Sequence, residues 1–412
     1  MTDLPQDTSV RTTTLDNGLV VATDTMPQVE TATIGLWTRV GARFENMANN
    51  GAAHFLEHMV FKGTKTRSAL QIAEDVENVG GYINAYTGRE MTAYYTRVMK
   101  QDIGIGLDIV QDVILNPTFA IDEMERERGV IIQEIGMYND MPDYMASHHA
   151  QMAAYPDHAL GWSILGPIEN IQTMGIDTLK NFMATYYVPN NLLLCAAGNV
   201  DHDWLVTEAN RYFGKLHPAN VPQALKAVYK GGEVKINKDV EQVNVVVAFE
   251  SPHYLDADYH ASLILAGILG DGMSSRLFQE IREKRGLVYG VGVGVDPYRD
   301  SGLWCVQAGT GAEQLNELMP VLWHELNNAA GTFTAPEIAR AKAQTRAQIA
   351  MSLESSYRRC DRLAHNLVYF GKPRSNADVM AKIDAVTAED LNRVAKQIFG
   401  SIPTTSLYGP LD

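Results

Sequence analysis

The chain is poor in cysteine: Cys195, Cys305 and Cys360 are the three in 412 residues, far apart and with no C-x-x-C pair. That excludes a disulfide-stapled scaffold and a paired-thiolate metal knuckle, and it fits a reducing compartment. Long hydrophobic runs are also missing, and none approaches the roughly 18 residues needed to cross a bilayer. The first ten residues, MTDLPQDTSV, have neither the basic nor the apolar segment of a secretory signal. The expectation is a cytoplasmic protein with no membrane partner. Positive charge is scarce. Lys and Arg number 34 against 49 Asp and Glu, for a formal net charge of -15 at pH 7. A diffuse basic surface for nucleic acid is thereby excluded, whereas cationic ligands are attracted. Hydrophobic residues make up 46% and charged residues 20%, a balance that rules out a disordered chain.

The length predicts two or three domains. The stretch KLHPANVPQALKAVYKGGE, residues 215–233, holds two prolines and a Gly-Gly pair and has no helical or strand period. It divides the chain into a 1–216 domain, a 217–232 linker and a 233–412 domain. The two parts echo each other. ETATIGLWTRVGARFEN and EQVNVVVAFESPHYLDAD are both extended apolar stretches, and each is followed by an apolar helix. PTFAIDEMERERGVIIQEI runs without gaps against GTFTAPEIARAKAQTRAQI, setting Phe119, Glu123 and Arg126 on Phe333, Glu337 and Arg340. A duplicated α+β domain is the simplest account: two homologous copies, each a mainly antiparallel sheet with helices packed on one face.

The strongest chemical signal is GAAHFLEHMVFKGT. His54 and His58 are four apart, so on a helix they stand one turn above each other on the same face and can chelate one zinc ion. Glu57 lies beside them, placed to act as a base on water. H-x-x-E-H is the known inverted-zincin pattern. Phe55, Leu56, Met59, Val60 and Phe61 make the helix mostly apolar, and buried histidines there need partners, which a metal supplies. The third ligand must come from elsewhere. Glu134, at the end of the helical stretch MERERGVIIQEI, follows apolar Val130, Ile131 and Ile132. Glu127 lies two turns earlier on the same face, where it either orients a ligand, assists proton transfer or belongs to a solvated charged face. In the repeat alignment Glu134 meets Gln348 and Glu127 meets Ala341, and the second copy has no H-x-x-E-H. One copy therefore carries a site that its fold does not require. His148 and His149 are adjacent, hence about 100° apart on a helix, and are not expected to share a metal.

These motifs, with NGLVVATD, GARFE, GGYINAYTGREMTAYY and GDGMSSRLFQEIREKRGLVYGVGV, resemble the M16 metallopeptidases. The resemblance covers nearly the whole chain and is nearest to short bacterial members akin to the β subunit of the mitochondrial processing peptidase. It implies His54, His58 and Glu134 as ligands of one zinc per chain, Glu57 as general base and Glu127 as the additional acidic residue. It also implies that Arg282 and Tyr289, in REKRGLVY, are the Arg/Tyr pair supplied by the non-catalytic half, with Tyr289 serving the oxyanion. Peptide substrates would lie along the edge of the strand containing Asn84, Ala85 and Tyr86. The activity implied is that of a zinc endopeptidase acting on extended peptides in a closed chamber. The alternative is a non-catalytic or heterodimeric partner subunit. Long members close four such domains around substrate, so a two-domain chain is expected to form a homodimer with active sites completed in trans. His148 and Trp162 stand where processing-type members commonly have Asp and Arg, which implies no strong requirement for arginine near the scissile bond.

Overall fold

The structure, a computed structural model, describes residues 9–411. Residues 1–8, which make up most of the polar N-terminal stretch read above for a signal, lie outside the described residues. The chain forms two compact units that cut across its linear order. The first takes residues up to Ile135, Trp162–Leu225 and Met351–Ser375. The second takes Gly136–Gly161, Lys226–Ala350 and the residues from Asn376 onward.

The first unit is built on a six-stranded sheet of β1 (Val10–Thr14), β2 (Val20–Thr25), β3 (Thr31–Thr38), β4 (Tyr82–Thr87), β5 (Thr92–Met99) and β6 (Leu192–Gly198). The order is β1-β2-β6-β3-β5-β4, antiparallel except for the β2–β6 pair. The central strand β6, LLLCAAG, is buried at every residue, as an apolar run enclosed on both faces must be. β4 forms one margin and is only partly covered. Helices α1 (Ala52–Val60), α2 (Ala69–Glu77), α3 (Ile103–Leu115) and α4 (Ile121–Asn139) belong to this part of the chain. α3 packs on β3 and β5, and α1 lies against β4. α4 runs five residues beyond Glu134, so that residue sits inside the helix and not at its end.

The second unit carries β7 (Gly232–Asn237), β8 (Val243–Glu250), β9 (Val288–Pro297), β10 (Gly302–Thr310) and β11 (Thr404–Gly409), in the order β7-β11-β8-β10-β9. Here β7 and β11 are the parallel pair. Val243, Val245, Val247, Phe249, Trp304 and Val306 point from one face into a core shared with helices Tyr259–Gly270 and Ala388–Phe399. This topology repeats β2-β6-β3-β5-β4 strand for strand, with the parallel pair in the same place. The duplication read from the sequence is thus present in the fold.

Helices cover both faces of each sheet, and not one face as the sequence reading expects, because a single helix from the other copy lies on the second face. α5 (Pro142–Ala154) starts with proline at its first position, which breaks it from α4. It packs on β8, β11 and β7, with Ala146 and Ala150 against Val246 and Tyr408. Its counterpart in the repeat alignment, the helix Ser356–Phe370, packs instead on β2, β3 and β6 of the first unit. The two copies have exchanged equivalent helices. The Ser356–Phe370 helix is tied across the first sheet by Ser356 Oγ to Thr33 Oγ1 (3.0 Å), by Tyr357 stacked on Tyr95, and by Arg359 Nη1 to Asp24 Oδ1 (2.9 Å).

Asp24 is 7% exposed, so removing its cation strands a buried carboxylate. Arg359→Ala is expected to lower stability by about 2–3 kcal/mol. Adding Asp24→Asn should recover part of that loss, because the orphaned charge goes too. Chemical denaturation of the three proteins measures this.

Candidate metal centre

The helix that carries the histidines is held from its first turn. Gly51 begins α1 at φ +99°, and a side chain there would meet the Leu165 carbonyl oxygen at 2.8 Å, so the position requires glycine. α1 has no side-chain cap of the usual local kind. Glu45, from the preceding GARFE segment, takes that role. Its Oε2 accepts from Gly51 N–H (2.9 Å) and Asn50 Nδ2 (2.8 Å), and its Oε1 accepts from Ala53 N–H (2.7 Å). Burial raises the Glu45 carboxyl to about 7, against the three hydrogen bonds, which favour the anion. A carboxylate at this end also complements the helix dipole. The first turn is fixed one residue before His54.

His54 and His58 stack edge to face, with ring centroids 4.7 Å apart. α4 brings Glu134 to them, with Glu134 Oε2 3.6 Å from His54 Nε2 and 3.5 Å from His58 Nε2. Those contacts are long for hydrogen bonds. They suit donor atoms arranged tetrahedrally around one ion at roughly 2.0–2.1 Å, which stand about 3.3 Å from each other. Among the described residues this is the set of His, Cys, Asp and Glu side chains that converges in this way. Two imidazoles and a carboxylate are a zinc donor set, and the site fits that metal.

Glu127, two turns before Glu134 on α4, is 5% exposed. Its Oε2 lies 3.0 Å from His58 Nδ1 and its Oε1 2.7 Å from Lys62 Nζ. With a proton on Nδ1 donated to Glu127, the Nε2 lone pair of His58 faces Glu134 and His54. Glu57 is the third member of the H-x-x-E-H helix. Its Oε2 accepts from the Thr87 hydroxyl at the end of β4. Burial raises its carboxyl, opposed by the Thr87 hydrogen bond and by His58. In the metal-free protein, burial and the neighbouring His58 lower His54. Burial also acts to lower His58, but Glu127 and Glu134 outweigh it and lift the imidazolium to about 9.

β4 places Ile83, Ala85 and Thr87 on one face and Asn84 and Tyr86 on the other. Asn84 Oδ1 accepts from the Ala85 N–H at 2.8 Å, and Asn84 Nδ2 donates to Tyr82. Arg282 and Tyr289 lie in the second unit and meet there: the guanidinium sits 5.2 Å from the Tyr289 ring centroid and 4.7 Å from that of Phe278. Tyr289 is 84% exposed. His148 stacks on Tyr144 and stands tilted beside His149, and among the described residues it belongs to no metal-ligating cluster. Sequence reasoning missed Thr87, Glu45 and Lys62 as parts of this site. Gly51 before an apolar helix was a signal that a cap must come from elsewhere, but nothing local pointed to Glu45.

The sequence profile of the insulinase family (Peptidase family M16) matches residues 20–168, and that of the Peptidase M16 inactive domain matches residues 173–345. An uncharacterized zinc protease of Rickettsia bellii is 40% identical over 96% of both chains. One from Streptomyces coelicolor is 37% identical over 98% of this chain and 90% of its own. A solved protease from Helicobacter pylori superposes with a TM-score of 0.89 at 26% identity, covering 97% of this chain and 98% of its own. This chain belongs to the M16 peptidase family. Its relatives are named zinc proteases, and zinc is the metal that the donor set fits. The M16 inactive-domain profile falls mainly on the second copy. There the counterpart of Glu134, Gln348, donates to Asp271, and the counterpart of Glu127, Ala341, is packed in the core.

Because His58 is protonated below about 9 without metal, zinc binding between pH 6 and 8 must displace that proton. Apparent zinc affinity should therefore rise about tenfold per pH unit across this range. Chelator competition at three pH values measures it, and a pH-independent affinity would contradict the protonation assigned to His58.

Proposed function

We propose that this protein is a zinc-dependent endopeptidase of the cytoplasm, hydrolysing peptides or short unfolded polypeptides bound in extended form. The observation that carries this reading is the convergence of His54, His58 and Glu134 beside Glu57, next to β4, the edge strand of its sheet.

Zinc, one per chain, supplies Lewis-acid charge at the scissile carbonyl when bound at His54, His58 and Glu134. Glu57 takes a proton from the attacking water and returns it to the leaving amine. Its raised carboxyl range suits both halves of that exchange, and the Thr87 hydroxyl holds it in place. Glu127 keeps the His58 ring turned toward the ligand position. The backbone at Asn84, Ala85 and Tyr86 hydrogen-bonds the peptide main chain as an added strand, which gives affinity for extended shape with little demand on sequence. Tyr289, exposed and backed by Arg282, donates its hydroxyl to the developing oxyanion. We assign that tyrosine to a second copy of the chain, in a homodimer that encloses the substrate.

Glu57→Gln is expected to retain zinc and to lower kcat by about a thousandfold on an unstructured peptide, since it removes the proton carrier and no ligand. Elemental analysis together with peptide cleavage checks this, and loss of zinc from a folded Glu57→Gln protein would contradict the assignment. Mixing Glu57→Gln with Tyr289→Phe tests completion in trans. The mixed dimer then has one intact site, so activity returns. Completion within one chain would restore nothing.

A further inference from the structure

The side chains on either face of β4's last two residues lead to different helices. Thr87, on one face, donates to Glu57 of α1. Tyr86, on the other, donates its hydroxyl to Asp361 Oδ1 at 2.6 Å and accepts from Trp37 Nε1 at 3.3 Å. Asp361 belongs to the exchanged helix Ser356–Phe370, and its other oxygen lies 3.6 Å from His365 Nε2. Tyr95, in the row of β5 that pairs with Asn84, stacks on Tyr357 of the same helix with centroids 4.7 Å apart. The strand next to the candidate base is therefore clamped from both faces, and one jaw of the clamp comes from residues far along the chain.

We infer that Asp361 is a positioning residue for substrate, acting through the Tyr86 hydroxyl to hold the β4 edge in the conformation that an extended peptide joins. This rests on the reading of β4 as the peptide-binding edge. A margin strand has hydrogen-bond partners on one side only, so its outer backbone is ordered by what its side chains grip. Thr87 anchors the end beside Glu57, and that contact does not involve Asp361. Without the Asp361–Tyr86 bond, Asn84, Ala85 and Tyr86 have to be ordered when the peptide arrives. That cost falls on binding and not on the chemical step. Asp361 touches neither the metal ligands nor Glu57, so zinc content is independent of it.

The test compares Asp361→Ala, Asp361→Asn and Tyr86→Phe with the parent protein, zinc-loaded, on a ten-residue unstructured peptide. Asp361→Ala and Tyr86→Phe should raise KM about tenfold and leave kcat within twofold. Asp361→Asn, whose amide oxygen still accepts from Tyr86, should stay within threefold of the parent. Hydrogen exchange of the metal-free proteins supplies a reading without activity: amides of residues 82–87 should exchange faster in Asp361→Ala and Tyr86→Phe than in Asp361→Asn. An unchanged KM, or a loss confined to kcat as fewer folded molecules would produce, overturns the inference. So does unaltered exchange in β4. A parent protein that binds zinc and cuts no peptide overturns the underlying reading of the site, whatever the exchange data show.

Discussion

Two imidazoles and a carboxylate held within a few ångströms, largely out of water, are costly unless something shares their lone pairs. That requirement organises the first unit. α1 must present His54 and His58 on one face, which calls for a fixed first turn. Glu45 and the positive φ of Gly51 supply it. α4 must pass close enough to deliver Glu134 and, two turns away, Glu127. β4 must end beside α1 so that Thr87 reaches Glu57. Each element is placed by its own packing, and the donor set is the point where those placements meet.

The duplicated architecture separates scaffold from chemistry. Both copies keep the same strand order and the same pair of helices after the Phe119 and Phe333 positions. Where the first copy has Glu134 and Glu127, the second has Gln348, an uncharged amide donating to Asp271, and Ala341 in the core. Neither carboxylate is needed for the fold, so their cost in the first copy points to a ligand. The exchange of α5 with the Ser356–Phe370 helix means that neither half of the chain completes a compact unit on its own. The first unit's sheet depends on residues translated more than 300 positions after its first strand, among them Arg359 on Asp24. That long-range dependence favours slow assembly, since the connecting chain must be closed before these contacts form.

Much of this was legible in the sequence. The i, i+4 spacing of His54 and His58 and the two-turn spacing of Glu127 and Glu134 are local periodicities, and local periodicities survive folding unchanged. The duplication was visible because a gapless helical stretch aligns on itself, and the strand orders then agree. What could not be read is whatever depends on contacts between distant segments. Nothing in GARFE announces a carboxylate reaching forward to cap a helix. The alternation in INAYT separates the two faces of β4 but names neither Glu57 nor Asp361 as the partner on each. The destination of α5 is set by which sheet offers an uncovered face, and Pro142 marks only that the chain turns there.

The central claim is that His54, His58 and Glu134 hold one zinc ion through two imidazole nitrogens and a carboxylate oxygen. X-ray absorption at the zinc edge on the loaded protein tests it most directly. The account predicts a four-coordinate shell of nitrogen and oxygen at about 2.0–2.1 Å, with outer-shell scattering from two imidazoles and no sulfur. A sulfur shell at about 2.3 Å, or scattering from a single imidazole or none, would contradict it.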